Sequence, residues 1–247
     1  MKIVILTALG VGGATVFGAV LGLIFRRTSR RFNDGAMSFA GGVMLAAAIL
    51  GLILPALEYD GGGVGICILG IFVGAFCLDF LDALVVRCYP KIDGGGERID
   101  ERMRRVILFV SAIAIHNLPE GIAAGVGFGT SEIGNAIMIA TAIALQNVPE
   151  GMTVIVAMLG VGIKPWRTFL IASLTGVVEI VGTFIGYFAA HLSRAVLPFV
   201  LAFAGGTMLY VISEEMIPET HSEGSGKIST YFLLIGFCFM LIMDQLL

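Results

Sequence analysis

The chain has 247 residues, 57% of them hydrophobic and 13% charged, with a formal net charge of −3 and a mean hydropathy of +0.98. A soluble domain carries about 25% charged residues, and a nucleic-acid binder needs a strongly basic surface, so both classes are excluded. What remains is an all-α, polytopic membrane protein.

Eight apolar runs are long enough to cross a bilayer, over about 3–25, 36–57, 64–86, 106–129, 133–160, 168–191, 195–217 and 229–246. The first is too long for a signal-peptide core and is followed by arginines, so it is read as a span. If the N-terminus lies outside, the inner loops hold Arg26, Arg27, Arg30 and Arg31, then Arg87, Lys91, Arg98, Arg102, Arg104 and Arg105, then Lys164 and Arg167, then Lys227. Only Lys2 and Arg194 fall outside. This asymmetry satisfies the positive-inside rule with both ends outside, in a cell membrane. Residues 1–247 are expected to form a single transmembrane domain, with a cytoplasmic linker over about 87–105 around Gly94-Gly95-Gly96. Four cysteines (Cys67, Cys77, Cys88, Cys238) are scattered without a CxxC pair and read as small apolar residues. Gly18/Gly22, Gly70/Gly74, Gly121/Gly125/Gly129 and Gly182/Gly186 stand at helix-packing spacing, and packing inside the bundle is expected of them.

Spans four and five carry nearly the same polar hexapeptide. His116-Asn117-Leu118-Pro119-Glu120-Gly121 is followed 30 residues later by Gln146-Asn147-Val148-Pro149-Glu150-Gly151. Such residues are costly in hydrocarbon and mark a functional site. His116 and Glu120 share a helix face at i,i+4, as do Gln146 and Glu150, while Asn117 and Asn147 stand at i−3 from each Glu. Each Pro frees a carbonyl one turn back, at Ile115 and Leu145. Consecutive spans run antiparallel, so the two polar faces can meet at mid-depth. One imidazole, two carboxylates and three amide oxygens suit a divalent metal.

Further polar residues extend the pattern. Glu179 lies mid-way along span six and needs a partner at that depth. Met44 in span two offers a soft thioether. Asp34, Asp79, Asp82, Glu214, Glu215 and His221 fall towards the cytoplasmic half, and Glu58, Asp60 and Asp244 at the outer ends. Acidic rings at both mouths would concentrate cations and offer stepping sites.

With these residues in place the chain resembles the ZIP (Zrt-, Irt-like) family of divalent metal transporters, in its bacterial form. The likeness covers the eight spans, the doubled motif, Glu179, and the segment from Gly205-Gly206-Thr207-Met208 to Glu214-Glu215-Met216-Ile217-Pro218-Glu219-Thr220-His221. It implies a homodimer that moves one helix bundle against another, and the mainly oxygen ligand set with one nitrogen suits zinc without excluding iron, manganese, cobalt or cadmium. It implies one ion on His116, Glu120, Gln146 and Glu150, with Met44 as an extra ligand. A second ion would sit on Asn117, Asn147 and Glu179 and share Glu120 and Glu150. Asp34, Glu214 and Glu215 would line the release side, with His221 a further candidate pathway residue, and Glu58 and Asp244 the outer mouth. The chain departs from the pattern in two places. Some bacterial members carry Asp at the position of Asn147, and many have a His-rich loop where 87–105 has no His.

The ion is cargo; no resident cofactor and no enzymatic activity are expected. Ligands must be deprotonated to hold a metal, so binding should depend on pH. Mg²⁺ dehydrates reluctantly and should compete poorly. A secondary transporter of another cationic solute on the same polar face is the alternative. An intramembrane metalloprotease would need a His-Glu-x-x-His pair, which His116, His191 and His221 do not form.

Overall fold

Backbone amides in hydrocarbon must pair within their own segment, so apolar runs of this length fold as helices. The structure is a computed structural model that describes residues 1–25, 29–59, 62–92, 101–129, 133–192, 195–221 and 226–246. Among them, eight helices are long and apolar enough to cross a membrane. They are α1 (Lys2–Ile24), α2 (Arg31–Glu58), α3 (Val64–Leu84), α4 (Val106–Gly129), α5 (Ile133–Gly160), α6 (Pro165–His191), α7 (Leu197–His221) and α8 (Gly226–Leu246).

Several helices outrun the apolar stretch that predicts them. The helix of α2 already begins at Arg30, where Ser29 Oγ accepts the N–H of Phe32 at 3.3 Å and caps the first turn. The helix of α3 continues to Ile92 and that of α4 starts at Glu101, so both ends of the expected linker are helical. Hydropathy marks the part of a helix that sits in lipid, and the polar turns beyond it stay helical in the interface. Gly94–Gly96 and Asp60 lie outside the described residues.

The helices sort into two groups. In one, α4 packs along α6, and α1 along both α5 and α6. In the other, α3 packs along α7 and α8 along α2. The groups meet chiefly where α2 crosses α5 and α7 crosses α4. The spaced glycines make these seams. A Cβ on Gly121 would lie 2.2 Å from the carbonyl oxygen of Glu179, and one on Gly125 2.0 Å from that of Thr183. Gly18 meets the Val148 carbonyl of α5 in the same way, and Gly74 the Phe203 carbonyl of α7. These glycines therefore serve packing within the bundle, as expected.

Both α2 and α7 contain a π-helical stretch, Ala47–Ile53 and Ile212–Met216, followed two residues later by Pro55 and Pro218. A proline has no N–H to give the preceding turn, and a widened turn absorbs the mismatch. Glu214 and Glu215 sit on the π turn of α7, which aims their side chains.

Candidate metal centre

The doubled motif lies where α4 and α5 cross α6. Glu179 of α6 is fully buried and is satisfied by three donors. Thr15 Oγ1 and Asn117 Nδ2 donate to its Oε1 at 2.7 and 2.5 Å, and Asn147 Nδ2 donates to its Oε2 at 2.5 Å. Asn147 Nδ2 also donates to the Val11 carbonyl at 3.1 Å, where α1 closes the group. A second pair stands beside the first: Gln146 Nε2 donates to Glu120 Oε1 at 2.5 Å.

These bonds consume the donor ends of three amides and leave their oxygens over. Asn117 Oδ1, Asn147 Oδ1, Gln146 Oε1 and Glu120 Oε2 are all buried and meet no donor. Buried polar atoms in folded proteins are nearly always paired, so four orphaned acceptors on two adjacent helices need an explanation. Their carbonyl and carboxylate oxygens are hard ligands for a cation. Glu120 is within electrostatic reach of Glu150 and Glu179, so three carboxyl groups share one buried region. Among the described residues no Lys or Arg is buried to pair with them. An acidic residue at the bilayer centre costs on the order of 3 kcal/mol on insertion scales, so three of them together mark a functional site.

A cavity of about 340 Å³ approaches this group from one end of the bundle. Glu150 and His116 form its floor; Met37, Phe109 and Ile113 line its walls, and Glu214, Glu215 and Glu219 its mouth. His116 is turned towards α7, with Nε2 2.6 Å from Glu215 Oε1. Asp82 of α3 joins them: one ligand atom from each of Asp82, His116 and Glu215 lies within 4.8 Å of the others. His116 thus stands between the buried oxygens and a second acidic cluster.

The expected residues therefore separate into stations. Asn117, Glu120, Gln146, Asn147 and Glu179 form the buried core, and Glu150 and His116 border the cavity. Glu214 and Glu215 are on the cavity wall as well. Asp34 stands in the second turn of α2 at the same end, outside the lining. His221 engages its own helix and α8: a ring nitrogen bonds the Ile217 carbonyl at 2.8 Å, and Nε2 lies 3.1 Å from Thr230 Oγ1. Glu58 is exposed at the last turn of α2, and Asp244 is half-buried near the end of α8. Met44 and Met37 both belong to the main apolar cluster, and Met37 also lines the cavity with His116.

Two participants carry no site signal in the sequence, and a third carries only a weak one. Thr15 and Val11 act from α1, far from the motif in the chain, and nothing in an apolar helix singles them out. Asp82 was visible only as one of several acidic residues near a helix end.

Residues 91–244 match the family described as ZIP Zinc transporter. The chain is 36% identical to zinc transporter ZIPB of Bordetella bronchiseptica, over 95% of this chain and 78% of that protein. It is 34% identical to zinc transporter GufA of Myxococcus xanthus, over 95% and 94%, and 32% identical to zinc transporter ZIP11 of Bos taurus, over 94% and 93%. A multi-pass membrane protein with this motif and these relatives belongs to the ZIP zinc transporter family.

Proposed function

We propose that the protein carries divalent transition-metal ions, zinc foremost, into the cytoplasm through the site between α4, α5 and α6. The observation that carries this is the set of three donor-less buried amide oxygens beside the carboxyl groups of Glu120, Glu150 and Glu179. Glu120 and Glu150 neutralise the ion and bridge two positions. One position uses His116 and Gln146, the other Asn117 and Asn147. Glu179 holds the two asparagine amides by their nitrogens, so that their oxygens face the ion. Support also comes from relatives named as zinc transporters.

The basic residues put the mouth formed by the end of α7 and the start of α2 on the cytoplasmic side. The cavity then gives an inward-facing form, and Asp82, His116 and Glu215 form the first station after release. His116 passes the ion on by turning from the core towards Glu215. Transport needs such intermediate sites of modest affinity, because the ion has to leave. We take the working unit to be a homodimer in the cell membrane, with both termini outside.

The test is a metal-uptake panel in proteoliposomes at two pH values, with Glu120→Ala as the blank. Uptake of zinc by the parent and none by the variant is expected; equal uptake overturns the site. The size of the cavity favours one other cargo, a small organic cation. Uptake of such a cation that survives Glu120→Ala while zinc uptake is absent from both would favour it.

A further inference from the structure

The outer half of the molecule is shut along the seam where α2 meets α5. Ala47, Ala48 and Leu52 of α2 and Met138, Ile139 and Ile143 of α5 are 2% exposed or less there. Among the described residues, one side-chain hydrogen bond crosses this apolar seam. Asn135, in the first turn of α5, donates Nδ2–H to the carbonyl of Gly51 at 3.2 Å.

The sequence removes the α-helical partner of that carbonyl. In α-helical spacing the carbonyl of Gly51 would receive the N–H of residue 55, and residue 55 is a proline. Gly51 also lies within the π-helical stretch of α2 and flat against α5: a Cβ there would sit 2.7 Å from Ile139 Cγ1. This point is remote from the cavity. Gly51 stands fourteen residues along α2 from Met37 in the cavity wall, roughly 20 Å at 1.5 Å per residue. The bond joins the helix group that carries the ion site, through α5, to the group that does not, through α2.

We propose that Asn135 is the outer latch of the transport cycle: bonded to the Gly51 carbonyl, it holds α5 against α2 and must let go before the site can face the outer side. The apolar contacts of the seam slide with little directional preference, whereas a hydrogen bond is made at one relative position of the helices and lost at others. The proposal rests on the transport reading above, and its test is kept independent of it.

The experiment is the reaction rate of a single cysteine with a maleimide in lipid nanodiscs without metal. The four native cysteines are replaced by Ala and the reporter is Met138→Cys, buried beside Gly51. Asn135→Leu, a near-isostere lacking the donor, and Asn135→Ala are each expected to speed labelling roughly three-fold, the worth of an average interhelical hydrogen bond in a membrane. Gly51→Ala, which wedges the same seam, serves as the positive control. Faster labelling with Gly51→Ala but not with either Asn135 variant overturns the latch, because the seam then opens without regard to the bond. No acceleration in any variant overturns it too, by placing the outer opening elsewhere. Labelling is read apart from uptake: a chain that carries no metal yet labels faster without Asn135 would sink the transport reading and leave the latch standing.

Discussion

His116 of α4 reaches Glu215 of α7, with Nε2 2.6 Å from Oε1, and so joins the two helix groups at the cavity. The same imidazole belongs to the motif that supplies the buried core. On the proposed transport path His116 is shared between the core and the exit, which gives Glu215 the role of a release residue. Glu215→Ala should lower the zinc uptake rate by on the order of tenfold while the equilibrium affinity of the core changes little, because an interaction confined to one step affects that step alone. Stopped-flow uptake and calorimetric binding on the same preparation check this. An equal loss in both would place Glu215 in the core site.

Thr15 is not itself among the expected ligands, yet it donates to Glu179, which also holds the amides of Asn117 and Asn147. Groups that orient metal ligands are worth about 10–100-fold in affinity. Thr15→Val keeps the volume and removes the donor. The expected outcome is a zinc affinity weaker by about tenfold, with normal folding by size-exclusion chromatography. An unchanged affinity would show that Glu179 needs no help from α1.

Asn147 donates to Glu179 at 2.5 Å and leaves its own oxygen over. Asn147→Asp turns that bond into two carboxylates in contact. Without metal, repulsion between buried like charges should lower the melting temperature. With zinc present the added carboxylate should bind the second ion more tightly, and a ligand that binds only the folded state raises its stability by mass action. Melting with and without zinc is the measurement. The expected result is a lower metal-free Tm and a larger zinc-induced rise than in the parent.

Gly125 separates α4 from α6 by the width of a hydrogen atom: its Cβ would lie 2.0 Å from the Thr183 carbonyl oxygen, backbone that has nowhere to go. Gly125→Ala should cost about 1–3 kcal/mol, as overpacking does. Gly10, with nothing within 4 Å of its Cβ position, is the control, and Gly10→Ala should leave thermal stability unchanged.

What could be read from the sequence was what is local along the chain. Length and hydropathy place eight helices, and i,i+4 spacing puts Glu120 under His116 and Glu150 under Gln146 on shared faces. Glycine spacing anticipates close seams, because only small residues allow them. The partners of those faces were less visible. Thr15 meets Glu179 across 164 residues of chain, and a single hydroxyl in an apolar helix carries no periodic signal. The turn of His116 towards Asp82 and Glu215 depends on where α3 and α7 cross α4. The π turns depend on how Pro55 and Pro218 are accommodated by widening rather than breaking their helices. Met44 and Met37 of α2 both belong to the buried apolar cluster, and the sequence does not tell which of them borders the cavity, as Met37 does.

The most direct measurement is anomalous diffraction at the zinc edge from crystals of the protein grown with zinc. The expected result is a peak between α4 and α5, with carboxylate oxygens of both Glu120 and Glu150 at about 2.0–2.2 Å from it. A peak confined to Asp82, His116 and Glu215, with none between residues 120 and 150, would contradict the shared buried ion on which the transport mechanism depends.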